Sequence, residues 1–95
     1  MFDAMDLNRI RQRIKDIAAS PKNVRFDELV ALLDSHIGPM YPNYNHHGSP
    51  HHAFTVGNRT FNIAEPKRSH VKEKYVAYFL EAMEALGLYD AEDSP

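Results

Sequence analysis

The chain has 95 residues, a formal net charge of −2 and no cysteine. A chain this short buries only about 60–65 % of its unfolded surface and cannot divide that between two cores, so one domain is expected. Disulfide staples and thiolate metal sites are excluded, which fits a reducing cytoplasm. No stretch approaches the run of about 18 apolar residues that a membrane helix needs, and the first twenty residues are charged rather than signal-like; a cytoplasmic protein with no membrane partner is the expectation.

Leu7, Ile10, Ile14 and Ile17 recur at helical spacing and predict an amphipathic helix over residues 6–18, ended by Ser20-Pro21. A second helix follows Phe26, capped by Asp27 or a neighbour, with Leu29, Val30, Leu32, Leu33 and Ile37 apolar and Gly38 as its stop. The stretch GPMYPNYNHHGSP then carries three prolines and little alternation, so Tyr41 to His46 reads as a weak strand or a loop. HHAFTV and RTFNIA flank Gly57-Asn58, a pair suited to the positive φ angles of a tight turn, and predict a β-hairpin. After the polar connection EPKRS, a last helix is expected from about His70 to Leu86, with Val71, Tyr75, Tyr78, Phe79, Ala82 and Leu86 near one face and Gly87 as its stop. The order helix, helix, two or three antiparallel strands, helix defines an α+β fold with the helices on one face of the sheet.

Charge is unevenly distributed. Residues 9–25 hold Arg9, Arg11, Arg13, Lys15, Lys22 and Arg25 against Asp16 alone, and a second basic stretch comprises Arg59, Lys67, Arg68, Lys72 and Lys74. From Tyr75 onward there are five acids and no Lys or Arg. Such local patches bind phosphate even when the total charge is slightly negative, although solvated helix faces have the same composition.

Four of the six histidines fall in HHGSPHHAF, residues 46–54. On a strand, period-2 alternation sends His52, Phe54 and Val56 to one face and His51, Ala53 and Thr55 to the other, so His51 and His52 have different surroundings. His46 and His47 read as loop residues outside the site. A metal-binding reading rests on the nitrogens of HHxxxHH. Against it, strand neighbours point apart, no cysteine helps, and the nearest carboxylate in sequence is distant. No metal and no cofactor is therefore expected.

The run VRFDELVALL, then GSPHHAF, a short hairpin, a basic connection and a last helix ending in Leu86-Gly87 resembles the HicA family of bacterial toxins. The resemblance covers residues 24–87. It implies a double-stranded-RNA-binding-like (dsRBD-like) fold, α-β-β-β-α, in residues 23–88, preceded by an N-terminal helical extension, 1–22, and followed by an acidic frayed tail, 89–95. It further implies an mRNA endoribonuclease that works without metal through a histidine at the start of a strand, with a HicB-like antitoxin as partner. Family members usually read Gly-Ser-His-His, whereas Pro50 is inserted here. The family histidine therefore maps to His51 by distance from Gly48-Ser49, or to His52 by its relation to Phe54. His52 is favoured, because a turn absorbs an extra residue while a slipped strand reverses every side chain.

Histidine suits both halves of RNA cleavage, since an unperturbed pKa near 6.5 populates its acid and base forms around neutrality. The candidate catalytic residues are thus His52 first and His51 second. Gly48 and Ser49 shape the turn or meet phosphate, and Lys67, Arg68 and Lys72 hold phosphate near the start of the last helix. A module of the same fold that binds RNA or protein without catalysis is the alternative function, and histidine-rich metal binding is the second.

Overall fold

The computed structural model describes residues 6–93, in the order α1 (Leu7–Ala19), α2 (Phe26–Ala31), a π-helical segment (Leu32–Ile37), a 3-10 turn (Gly38–Met40), β1 (Asn45–His47), β2 (His51–Val56), β3 (Arg59–Ala64), α3 (Glu73–Ala85) and a 3-10 turn (Ala91–Asp93). The architecture is α+β: an antiparallel sheet of order β1-β2-β3 with a helix before and a helix after it, and α1 ahead of both. The α-β-β-β-α order expected for residues 23–88 is therefore present. Among the described residues no helix is long and apolar enough to cross a membrane.

The first helix starts where Asp6 accepts a hydrogen bond from the Arg9 N–H at 2.9 Å, satisfying one of the donors that a helix start leaves open. It ends at Ser20, as the Ser-Pro pair dictates. Of its apolar stripe, Ile10 and Ile14 are buried in the same core cluster as the sheet and α3, at 1 % and 0 % exposed, Ile17 packs against that cluster half-buried, and Leu7 at the helix start stays exposed. The segment expected as an extension is thus built into the core of the domain. Replacing Ile14 with alanine should lower unfolding stability by about 2–5 kcal/mol, the cost of a large-to-small change at a fully buried site. Denaturant unfolding followed by circular dichroism measures it, and a change below about 1 kcal/mol would mean that α1 is only an appendage.

The second helix does not stay α-helical to Gly38. From Leu32 its turns widen into a π segment, and Gly38 N–H bonds back to Leu33 O. A π turn holds more residues than an α turn and so shifts the angular position of the residues after it. Gly38 is required by close approach: a Cβ there would lie 2.7 Å from the Tyr44 ring and 2.8 Å from Leu33 O. Tyr44 consequently packs directly on the backbone at the end of this segment.

The hairpin forms as its sequence predicts, with Gly57 at φ +60° in the turn and Val56 opposite Arg59. Phe54, Val56, Phe61 and Ile63 point into the core, and the other face of both strands is more exposed. The weakly patterned stretch does form a strand, but as Asn45–His47, later and shorter than expected.

The last helix begins at Glu73 rather than His70, because the residues before it are occupied otherwise. Arg25 and His70 form an isolated β-bridge, Val71 N–H bonds Val24 O at 2.9 Å, and Phe26 N–H bonds Ser69 O at 2.8 Å. These contacts pin the basic connection to the start of α2. In the acidic tail, Tyr89 packs against the core beside buried Leu88, and Ala91–Asp93 form a turn, so this end is more ordered than a frayed tail. Residues 1–5 of the expected extension and 94–95 of the expected tail lie outside the described residues.

Candidate functional site

His52 sits at the start of β2 on the core-facing side, opposite Ile63. Glu65 lies two residues beyond Ile63 on the same face, and its N–H bonds Pro50 O at 2.8 Å, which continues the β2–β3 pairing past β3. Diagonal neighbours of this kind are within reach of long side chains. His52 Nε2–H donates to Glu65 Oε1 at 2.7 Å, and the Ser49 hydroxyl donates to the same oxygen at 3.2 Å.

The other ring nitrogen of His52 meets a residue that the sequence places in a loop. Pairing of β1 with β2 puts His46 opposite Phe54 and therefore on the face of His52. His46 Nε2 and His52 Nδ1 are 2.8 Å apart. On its far side His46 Nδ1–H donates to Asp34, with Oδ1 at 3.0 Å and Oδ2 at 3.2 Å, and the Tyr44 hydroxyl donates to Asp34 Oδ1 through a short hydrogen bond. His46 stacks on Phe54 with ring centroids 4.2 Å apart, and the edge of Phe26 abuts His52 at 5.1 Å. His46 is accordingly part of the site, correcting the loop reading; His47 stays outside this row and contacts the Asn45 side chain.

The row Tyr44, Asp34, His46, His52, Glu65 defines its own proton count. Three contacts involve the four ring nitrogens: one to Asp34, one between the rings and one to Glu65. Each contact needs one N–H, so three protons on the two rings satisfy all of them. Two rings with three protons carry one positive charge, lying between two carboxylates. Carboxylates distant in sequence are thus close in space, because folding brings Asp34 from the π segment and Glu65 from the end of the hairpin.

The hydrogen bond from His52 holds the Glu65 carboxyl below its ordinary value of 4.5, with the Ser49 hydroxyl bond acting in the same direction. Burial, and then the hydrogen bond to Asp34, push the Tyr44 hydroxyl up, so it remains a protonated donor. A carboxyl depressed in the folded state adds stability that is complete above its ordinary value and is lost as pH falls through the lowered folded value. The stability that wild type holds over Glu65→Gln should therefore shrink as pH falls below about 4.5. Urea unfolding at a series of pH values measures it; a difference unchanged down to pH 2 would rule out the pair as its source.

His51 lies on the opposite face, exposed and paired with Ala64, so it cannot share a proton with His52 as placed. It borders a concavity together with Lys67, Arg68 and Lys72. Gly48 adopts φ +91°, and a Cβ on it would meet His51 O at 2.6 Å, so only glycine fits this turn. Ser49 is held by Glu65 and follows the expectation that it shapes the turn. Among the described residues no group of three or more His, Asp or Glu side chains is arranged to hold a metal ion. The ring nitrogens of His46 and His52 are all engaged by one another or by a carboxylate.

Sequence reasoning missed His46, Asp34, Tyr44 and Glu65. For Glu65 a signal existed, because a two-residue Gly57-Asn58 turn determines the register and hence the shared face with His52. In comparisons with protein-family models, curated proteins and solved structures, the chain has no match.

Proposed function

We propose that this protein is a HicA-like toxin, an endoribonuclease that cuts messenger RNA without a metal ion, with His52 as its central acid. The observation that carries the reading is that His52 joins a carboxylate at Nε2 and a second imidazole at Nδ1. Phosphate and carboxylate oxygens are alternative acceptors for the same N–H, so an incoming phosphodiester displaces Glu65 from Nε2. Glu65, whose side chain is 42 % exposed, then takes the proton of the ribose 2′-hydroxyl. The 2′-oxygen bonds to phosphorus, the bond from phosphorus to the 5′-oxygen breaks, and His52 Nε2 gives its proton to that leaving oxygen.

The second imidazole makes this donation inexpensive. Once Nε2 has lost its proton, His52 Nδ1–H still donates to His46 Nε2 and His46 Nδ1–H still donates to Asp34, so no remaining contact is left unpaired. Return of the proton from Glu65 to Nε2 restores the starting state. Lys67, Arg68 and Lys72 hold phosphate, and Gly48 and Ser49 maintain the turn that presents His52. A HicB-like antitoxin, covering Glu65 and the turn, would be the partner, and the cytoplasm the place of action.

A non-catalytic RNA-binding module is the second reading, favoured by the 13 % exposure of the His52 side chain. Incubation of the purified chain with single-stranded RNA in EDTA separates the two. Cleavage leaving 2′,3′-cyclic phosphate ends supports the nuclease; binding without cleavage leaves the module. Cleavage abolished by EDTA would point to metal chemistry instead.

A further inference from the structure

Between the end of β3 and the start of α3 lies a concavity of about 420 Å³, bordered by Pro50, His51, Lys67, Arg68, Lys72 and Tyr75. Its size falls in the range of small-molecule sites, about 300–1,000 Å³. Among the described residues, Lys67, Arg68 and Lys72 form no ion pair. The carboxylate at its margin, Glu65, is already engaged by His52 and Ser49. Three uncompensated cations around one hollow favour an anion, and the proline and tyrosine walls favour a flat apolar group beside it. Phosphate and a base on one ligand meet both demands.

We infer that this concavity is a nucleotide subsite, taking one unstacked nucleotide of single-stranded RNA with its phosphate on Lys67, Arg68 and Lys72 and its base against Tyr75. A duplex is the wrong shape for it, because its bases are paired and stacked and cannot enter a hollow. Glu65 borders both this hollow and His52, so a strand seated here brings a neighbouring phosphodiester to the His52 nitrogen. His51 contributes to binding here and not to proton transfer. The choice of RNA as source rests on the proposed nuclease function; the binding itself is measured without cleavage.

The test is titration of the isotope-labelled full chain, followed by NMR, with adenosine 5′-monophosphate, adenosine, inorganic phosphate and an uncleavable 2′-O-methyl hexanucleotide. The monophosphate should shift the amides of Lys67, Arg68 and Tyr75, and adenosine or phosphate alone should bind at least about tenfold more weakly. The hexanucleotide should bind more tightly than the monophosphate. Lys67→Ala with Arg68→Ala should weaken hexanucleotide binding at least about tenfold and reduce its salt slope by about 0.7 for each phosphate deprived of its cation. Tyr75→Leu should weaken it by about fivefold or more, with a melting curve to confirm folding and the Lys67/Arg68 variant carrying the test if it fails to fold.

Phosphate binding as tightly as the monophosphate, a monophosphate preferred over the hexanucleotide, shifts confined to another surface, or neutral pocket variants would each overturn the subsite. A chain that binds as described yet never cleaves RNA would overturn the nuclease reading and leave the subsite standing. Cleavage that is indifferent to all the pocket variants would do the reverse.

Discussion

His52→Ala is expected to lower the rate of RNA cleavage in EDTA by about 10²–10⁴-fold, the range for removal of a positioned proton donor. His52 links the row, and its loss removes one partner from Glu65, which keeps Ser49, and one from His46, which keeps Asp34. Melting curves must therefore accompany the assay, and His52→Gln, which retains polar atoms, serves as the second variant. His51→Ala should behave differently, with kcat nearly unchanged and KM raised, because its ring lies on the other side of the strand. Equal loss of kcat in the His51 and His52 variants would defeat the assignment, as would full activity without His52.

The second large effect concerns the Asp34–His46 half of the row. Asp34→Asn or His46→Gln should reduce cleavage by about 10–100-fold, since each removes a charge-assisted hydrogen bond of about 1.5–3 kcal/mol that maintains the proton on His52. Neither residue meets the RNA in the proposed reaction, so KM should be nearly unchanged while the shape of the pH–rate profile alters. Nitrogen NMR of labelled imidazoles gives an answer independent of activity. The wild type should show one N–H proton shared between the two rings, and both variants should lose it. If that resonance is absent from the wild type, or survives Asp34→Asn unchanged, the three-proton arrangement is wrong.

Tyr44 and Gly38 connect this row to the backbone. The tyrosine hydroxyl fixes Asp34, and the absence of a Cβ at position 38 lets the ring settle against the end of the π segment. Stacking of His46 on Phe54, itself 0 % exposed, immobilises the second imidazole from the other side. The Asp34–His46 half of the row is thus held by packing on both sides, while the Glu65 end is open to solvent.

Much of the frame is legible in the residues. The 3-4-3 spacing in α1, the Gly57-Asn58 turn and the alternation of HHAFTV each reflect a local rule, so helix, hairpin and the separation of His51 from His52 need no long-range information. The same rules explain the errors. The expected start of α3 falls too early because the bridge between Arg25 and His70 spans the chain and leaves no local trace. The widened turns of the π segment have no signature in periodicity.

By itself the sequence determined which residues are apolar, where the chain turns, and that His52 shares a face with Phe54, because those depend on nearest neighbours along the chain. Only the tertiary structure decided which partners His52 has. His46 lies 6 positions from it, and Asp34, which bonds His46 rather than His52, lies 18; the two join its row through the register of β1 on β2 and the phase of a π segment. A slip of one residue in that register would turn His46 to the opposite face, and the pair of imidazoles would not exist.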